Sequence, residues 1–154
     1  MDRDVIIALF ERRAEAWTRR DADALAATHD PDAIGERPLQ GRLVGRARIR
    51  DVYAEWFSAF SDLAFTRKQL IIDGNHVAEL FTLRGTQTAP FHGGAATARR
   101  FDVHGALFYT IGPDGLISED KRVYDVTRML VQLGLLKAKP ASGEGAAREA
   151  DRAH

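Results

Sequence analysis

Residues 100–126 read RFDVHGALFYTIGPDGLISEDKRVYDV. Two alternating runs, 100–111 and 116–126, flank Gly112-Pro113-Asp114-Gly115, a turn composition between two strands. A four-residue turn that closes with Ile111 opposite Leu116 pairs Tyr109 with Ser118, Leu107 with Asp120, Gly105 with Arg122 and Val103 with Tyr124. Side chains alternate along a strand. One face therefore carries Phe101, Val103, Gly105, Leu107 and Tyr109, together with Asp120, Arg122 and Tyr124. The other carries Asp102, His104, Ala106 and Phe108. The first set is the more apolar and is expected to face helices, with the second toward solvent or a partner subunit. A one-residue bulge inverts the assignment.

Working outward, residues 63–72 and 77–88 flank Asp73-Gly74-Asn75, a second hairpin turn. These strands and the first pair make a four-stranded antiparallel meander. Ahead of them, residues 4–19 read as an amphipathic helix, with Val5, Ile6, Leu9, Phe10, Ala14 and Trp17 on its apolar face. Asp21 caps a short helix running to about Thr28. Residues 33–39 form a weak strand, and Gly41 and Gly45 punctuate a loop. Residues 46–60 give the clearest helix, with Ile49, Val52, Tyr53, Trp56, Phe57 and Phe60 in one stripe. Residues 88–98 read as a mobile glycine-containing loop. A last short helix covers 127–133 and stops at Gly134. Residues 137–154 lack apolar periodicity and read as a disordered tail, leaving 1–136 as one domain.

The chain has 154 residues, enough for one domain with a substantial core. Lys plus Arg is 22 and Asp plus Glu is 22, so no basic excess points to nucleic acid or a membrane surface. Cysteine is absent, which excludes disulfides and thiolate chemistry. No apolar run approaches the roughly 20 residues of a membrane span. The Met1-Asp2-Arg3-Asp4 start lacks a signal segment, so a cytoplasmic location is expected. The histidines, at 29, 76, 92, 104 and 154, form no metal-ligand spacing, and no phosphate loop or nucleophile elbow appears. No cofactor is expected.

Helices followed by an antiparallel meander form an α+β pattern. The order resembles the cone-shaped fold of the nuclear transport factor 2-like superfamily over roughly residues 4–136. Within it, the chain resembles the SnoaL-like polyketide cyclase and ester cyclase group. The matching pieces are Gly85-Thr86-Gln87-Thr88 followed by Gly93-Gly94, then Asp114-Gly115-Leu116-Ile117, then Tyr124-Asp125 with Leu130 and Gln132-Leu133-Gly134. The resemblance implies a curved, mostly antiparallel sheet with three N-terminal helices on its concave face, and a homodimer. It also implies an inward carboxylate on the last strand as general acid/base, in an E-x-W-D tract. Here that tract reads Glu119-Asp120-Lys121-Arg122, so Arg122 holds the aligned acid position and Asp120 lies one inward position earlier. Ketosteroid isomerases share the fold. Their oxyanion-hole acid aligns with Leu107 and their base, just before Pro38, with Arg37. Limonene epoxide hydrolases use an Arg-x-Asp pair, for which Arg84-Gly85-Thr86 supplies only the arginine.

The expected catalytic pair is Asp120, as proton carrier, with Arg122 as its charge partner or an oxyanion stabiliser. Two residues apart on one face, they are able to pair. As a satisfied ion pair at the sheet rim they need no ligand; lining a cleft, they bind one. Trp17, His29, Arg37, Tyr53, Trp56, Leu107, Tyr109 and Tyr124 are the expected ligand contacts. Their aromatic rings serve equally as core. His29 either caps the carbonyls of the preceding helix or enters the pocket as a proton carrier. His104 with Asp102 and Asp125 is a surface cluster or a general-base pair, and His92 a possible lid residue. The leading expectation is a cofactor-independent acid–base enzyme acting on a small hydrophobic carbonyl compound. A non-catalytic binding or scaffolding module is the second reading, an epoxide hydrolase or isomerase the third.

Overall fold

The computed structural model describes residues 1–137; the expected tail lies outside the described residues but for Lys137. Helices α1 (Arg3–Arg19) and α2 (Ala22–Ala26) lead into β1 (His29–Arg37) and β2 (Gly41–Val44). Helix α3 (Arg46–Ala59) precedes β3 (Ala64–Asp73), β4 (His76–Thr86), β5 (Arg100–Ile111) and β6 (Ile117–Tyr124), and α4 (Val126–Gln132) follows. The six strands form one curved, unclosed sheet in the order β2-β1-β6-β5-β4-β3. Only β1 and β6 run parallel; the other neighbours are antiparallel.

The core is the inward face of this sheet against α1 and α3. Ile6, Leu9, Phe10 and Trp17 from α1, and Ile49, Val52, Tyr53 and Trp56 from α3, are buried against Phe81, Leu83, Val103 and Leu107. Aromatic rings interlock there. Trp17 stacks on Phe65 at 4.5 Å and meets Tyr53 edge-on at 5.5 Å, while Trp56 meets Phe91 and Phe101 at 5.0 and 6.2 Å.

Several expectations change. Val5 and Ala14 face solvent, and Arg13 takes the buried position instead. The first strand starts at His29, with Pro31 in an irregular stretch where pairing to β6 shifts between His29 and Ile34. The segment between Gly41 and Val44 is a strand on the sheet edge rather than a loop. The 88–98 loop is held: buried Gln87 donates to the carbonyls of Gly94 and Ala95 and accepts from the Thr97 hydroxyl, and Phe91 is buried. In the last hairpin, Ile111 faces Ile117, and Tyr109 faces Asp120. The connection is one residue longer than expected and a bulge adds another shift. Two odd displacements sum to an even one, so the inward set survives.

Candidate active site

Asp120 sits on β6 between β1 and β5, opposite Gly35 on one side and Tyr109 on the other. Its carboxylate is buried and receives both arms of the Arg37 guanidinium. Nη1 meets Oδ1 in a very short contact, and Nη2 donates to Oδ2 at 3.1 Å. Arg37 is the last residue of β1, facing the same side of the sheet. Gly35 makes room for this clamp. A Cβ there would stand 3.0 Å from Asp120 Oδ1 and 3.3 Å from Arg37 Nη1.

His29 completes the cluster. It opens β1 directly after α2, whose start is fixed by the Asp21 side chain accepting from Ala24 N. Its Nε2 lies 2.9 Å from Asp120 Oδ2 and its Nδ1 3.2 Å from the Leu25 carbonyl. Arg46, at the start of α3, donates twice to the His29 carbonyl at 2.9 and 2.6 Å and fixes its backbone. His29 therefore caps a helix-end carbonyl and is also held in the buried cluster.

The electrostatics follow from burial and charge. Burial alone would raise the Asp120 pKa; the Arg37 charge and the hydrogen bonds from His29 and Arg37 outweigh it and hold the carboxyl well below the usual range. Burial lowers the His29 pKa, against the opposing pull of Asp120. Both ring nitrogens face acceptors, so the geometry has a place for a second ring proton that burial disfavours.

Arg122 does not pair with Asp120. Its guanidinium is buried, and Nε and Nη2 have no hydrogen-bond partner among the described residues. It lies 5.9 Å over the rings of both Trp17 and Tyr53, a cation–π position. Burial, then the charge of Arg37, lowers its pKa, yet an arginine keeps its proton. Nearby, the buried indole Nε1 atoms of Trp17 and Trp56 and the Tyr124 hydroxyl are also without protein partners. Burial pushes the Tyr124 pKa up to about 12. Leu107 lies opposite Arg122 on β5 as core.

The Tyr109 hydroxyl is committed elsewhere. It donates to Glu79 at 2.9 Å and accepts from Arg13 at 3.4 Å. Arg13 also donates to Tyr53 at 3.0 Å and to Thr28 at 2.6 Å, and Glu79 accepts from Arg67 at 2.7 Å. Sequence reasoning missed Arg13 and Glu79. The signal was present: Arg13 falls on the Ile6–Phe10–Trp17 stripe, and Glu79 alternates with Val77 and Phe81 on the inward face.

His104 and Asp125 do not meet. The His104 Nδ1 lies 3.3 Å from the Thr82 hydroxyl, and Asp125 caps α4 by accepting from Arg128 N. His92 is exposed, 3.1 Å from Gln40 Nε2. Among the described residues, no group of three His, Asp or Glu side chains is placed to hold a metal ion, and no helix is long and apolar enough to cross a membrane. A surface cavity of about 420 Å³ lies on the outward side of the sheet, among Ile34, Ile71, Phe108, Glu119 and Lys121. It is on the opposite face from the buried cluster.

The family model of SnoaL-like polyketide cyclases matches residues 8–133. The chain belongs to this family. Solved structures agree with the SnoaL-like assignment. TsrD from Streptomyces laurentii is 27% identical, with a TM-score of 0.77 over 88% of this chain and 99% of that one. IdmH from Streptomyces antibioticus, a candidate polyketide cyclase, is 25% identical, with a TM-score of 0.69 over 84% of this chain and 98% of that one. AclR from Streptomyces galilaeus, a candidate hydroxylase, is 24% identical and shows the shared fold, with a TM-score of 0.78 over 99% of this chain and 95% of that one. No curated protein matches the chain.

Proposed function

We propose that this SnoaL-like chain is a cofactor-independent acid–base enzyme acting on a small, hydrophobic, carbonyl-bearing substrate, by an aldol-type cyclisation. The observation that supports it most is the buried His29–Asp120–Arg37 cluster on the inward face. A carboxylate and an imidazole held together in a water-poor interior form a unit able to take up and release one proton. In an aldol closure the substrate's conjugation stabilises the enolate. The protein then supplies shape, exclusion of water, a proton carrier in the Asp120–His29 pair, and positive charge at the developing oxyanion from Arg122. Arg37 keeps Asp120 ionised and oriented. Trp17, Tyr53 and Trp56 supply flat apolar walls, and Tyr124 an orienting hydroxyl.

The test is turnover of aromatic and polyketide-like carbonyl compounds, followed by absorbance. Asp120→Asn keeps shape and removes the charge, and turnover is expected to fall about 10²–10⁴-fold while binding survives. Undiminished turnover in that variant would overturn the assignment of the pair.

One observation favours a second reading, a non-catalytic binding or scaffolding module. The aromatic rings of α1, α3 and the sheet touch one another at 4.5 to 6.2 Å and fill much of the interior themselves. Under that reading Asp120→Asn lowers stability and leaves no activity to lose. We also propose that two copies pair through the outward sheet face. Phe108, Ile71, Leu80 and Val123 are exposed there among charged residues.

A further inference from the structure

Arginines outnumber carboxylates in the interior. Arg13, Arg37 and Arg122 are buried, against Glu79 and Asp120. Asp120 is bound by Arg37 and His29. Glu79 is bound by Tyr109 and by Arg67, which reaches solvent with 27% of its side chain exposed. Arg13 spends its hydrogen bonds on Thr28, Tyr53 and Tyr109. That leaves Arg13 and Arg122 without a carboxylate of their own; Arg13 is answered by three hydroxyls, whereas Arg122 has two donor nitrogens, Nε and Nη2, unused among the described residues. A buried unpaired charge is among the costliest features a fold carries. Aromatic faces at 5.9 Å offset part of that cost but accept no hydrogen bond from Nε or Nη2.

We propose that the interior site takes a planar aromatic monoanion, bound through its carboxylate to Arg122 beside the aromatic side chains of the core. This deepens the function proposed above and rests on its site. Three features fix the class. Arg122 offers one guanidinium with unused donors, which matches one carboxylate. The guanidinium offers adjacent N–H groups, the fork that engages both oxygens of a carboxylate. The neighbouring unpartnered groups, the Trp17 and Trp56 indole N–H and the Tyr124 hydroxyl, are hydrogen-bond donors. A neutral ester has no charge to answer Arg122.

The probes are 2-naphthoate and its methyl ester, matched in ring and differing in charge, with binding measured by calorimetry and Tm by thermal melting. The full chain is expected to bind the acid about tenfold or more tightly than the ester, the value of a charge-assisted hydrogen bond. Arg122→Met is expected to abolish that preference. Without ligand it is expected to melt above the wild type, because an unpaired charge is replaced by an apolar side chain of similar length. Arg122→Lys keeps the charge, folds if the methionine variant does not, and retains the preference for the acid in weakened form. Equal binding of acid and ester, binding of neither, or a preference that survives in Arg122→Met overturns the proposal. So does an Arg122→Met variant that folds but melts below the wild type, which would make the arginine a structural element. None of these readouts needs turnover. Loss of cyclase activity in Asp120→Asn therefore stands or falls separately from the charge of the ligand.

Discussion

Gly35 and His29 are where single residues decide the site. Gly35 is required by a close approach: a methyl group there would press on the Asp120–Arg37 clamp. Gly35→Ala is expected to cost about 1–3 kcal/mol in urea unfolding, the usual price of overpacking; a variant as stable as the wild type would mean that the clamp yields freely. His29 carries a pH signature. Burial sets its folded pKa below the ordinary value of 6.5, with Asp120 opposing. The unfolded chain therefore takes the proton first as the pH falls, and stability declines from about pH 6.5 downward. Asp120 acts lower: with its folded pKa depressed, its contribution is complete above the unfolded value of about 3.9 and is lost as the pH falls below it. Melting curves of the wild type should show a gentle fall from pH 7 to 5 and a steep one below pH 4. His29→Gln should lose the first slope and keep the second. An unchanged slope between pH 7 and 5 would remove His29 from the account.

At the scale of elements, the last hairpin shows how much was legible and why. The inward placement of Asp120, Arg122 and Tyr124 follows from alternation alone, and alternation tolerates any even slip in register. Which residue each one meets does not follow. That depends on the connection length and on the bulge between Thr110 and Ile111, neither of which leaves a trace in composition. The Asp120–Arg122 pairing was expected on proximity along one strand. The structure replaces it with Arg37 from the neighbouring parallel strand β1, whose two terminal nitrogens both reach the carboxylate. The edge strand β2 was illegible for a different reason: three residues between glycines offer too short a run for periodicity. Gly105, on the same hairpin, is a sharper test of packing. A Cβ there would lie 2.6 Å from both Phe81 Cζ and the Val123 carbonyl, so ring and backbone are both in the way. Gly105→Ala is expected to destabilise by about 3 kcal/mol or more, at the upper end of overpacking costs, read as a lowered urea midpoint. A neutral result would show that β5 and β6 separate easily.

For the molecule as a whole, the sheet has two faces with different work. The inward one holds the charged cluster and the aromatic core. The outward one carries Phe108, half exposed at 51%, beside Ile71, Leu80 and Val123. Light scattering is expected to give twice the 17.1 kDa chain mass, and Phe108→Glu is expected to return it to one chain without loss of the fold. A wild type that elutes as a single chain at micromolar concentration overturns the pairing. The parallel contact of β1 with β6 has its own consequence, one of timing. His29 and Asp120 are separated by 91 residues, and Arg37 and Asp120 by 83. Contacts so distant along the chain close late and slow the folding rate. A chain emerging from the ribosome contains both long helices and five strands before β6 is available, but those strands form two separate groups, β2-β1 and β5-β4-β3. It then has no His29–Asp120 contact and no clamped carboxylate. The cluster comes into being with the final strand, which also joins the two parts of the sheet, so fold and site are completed together.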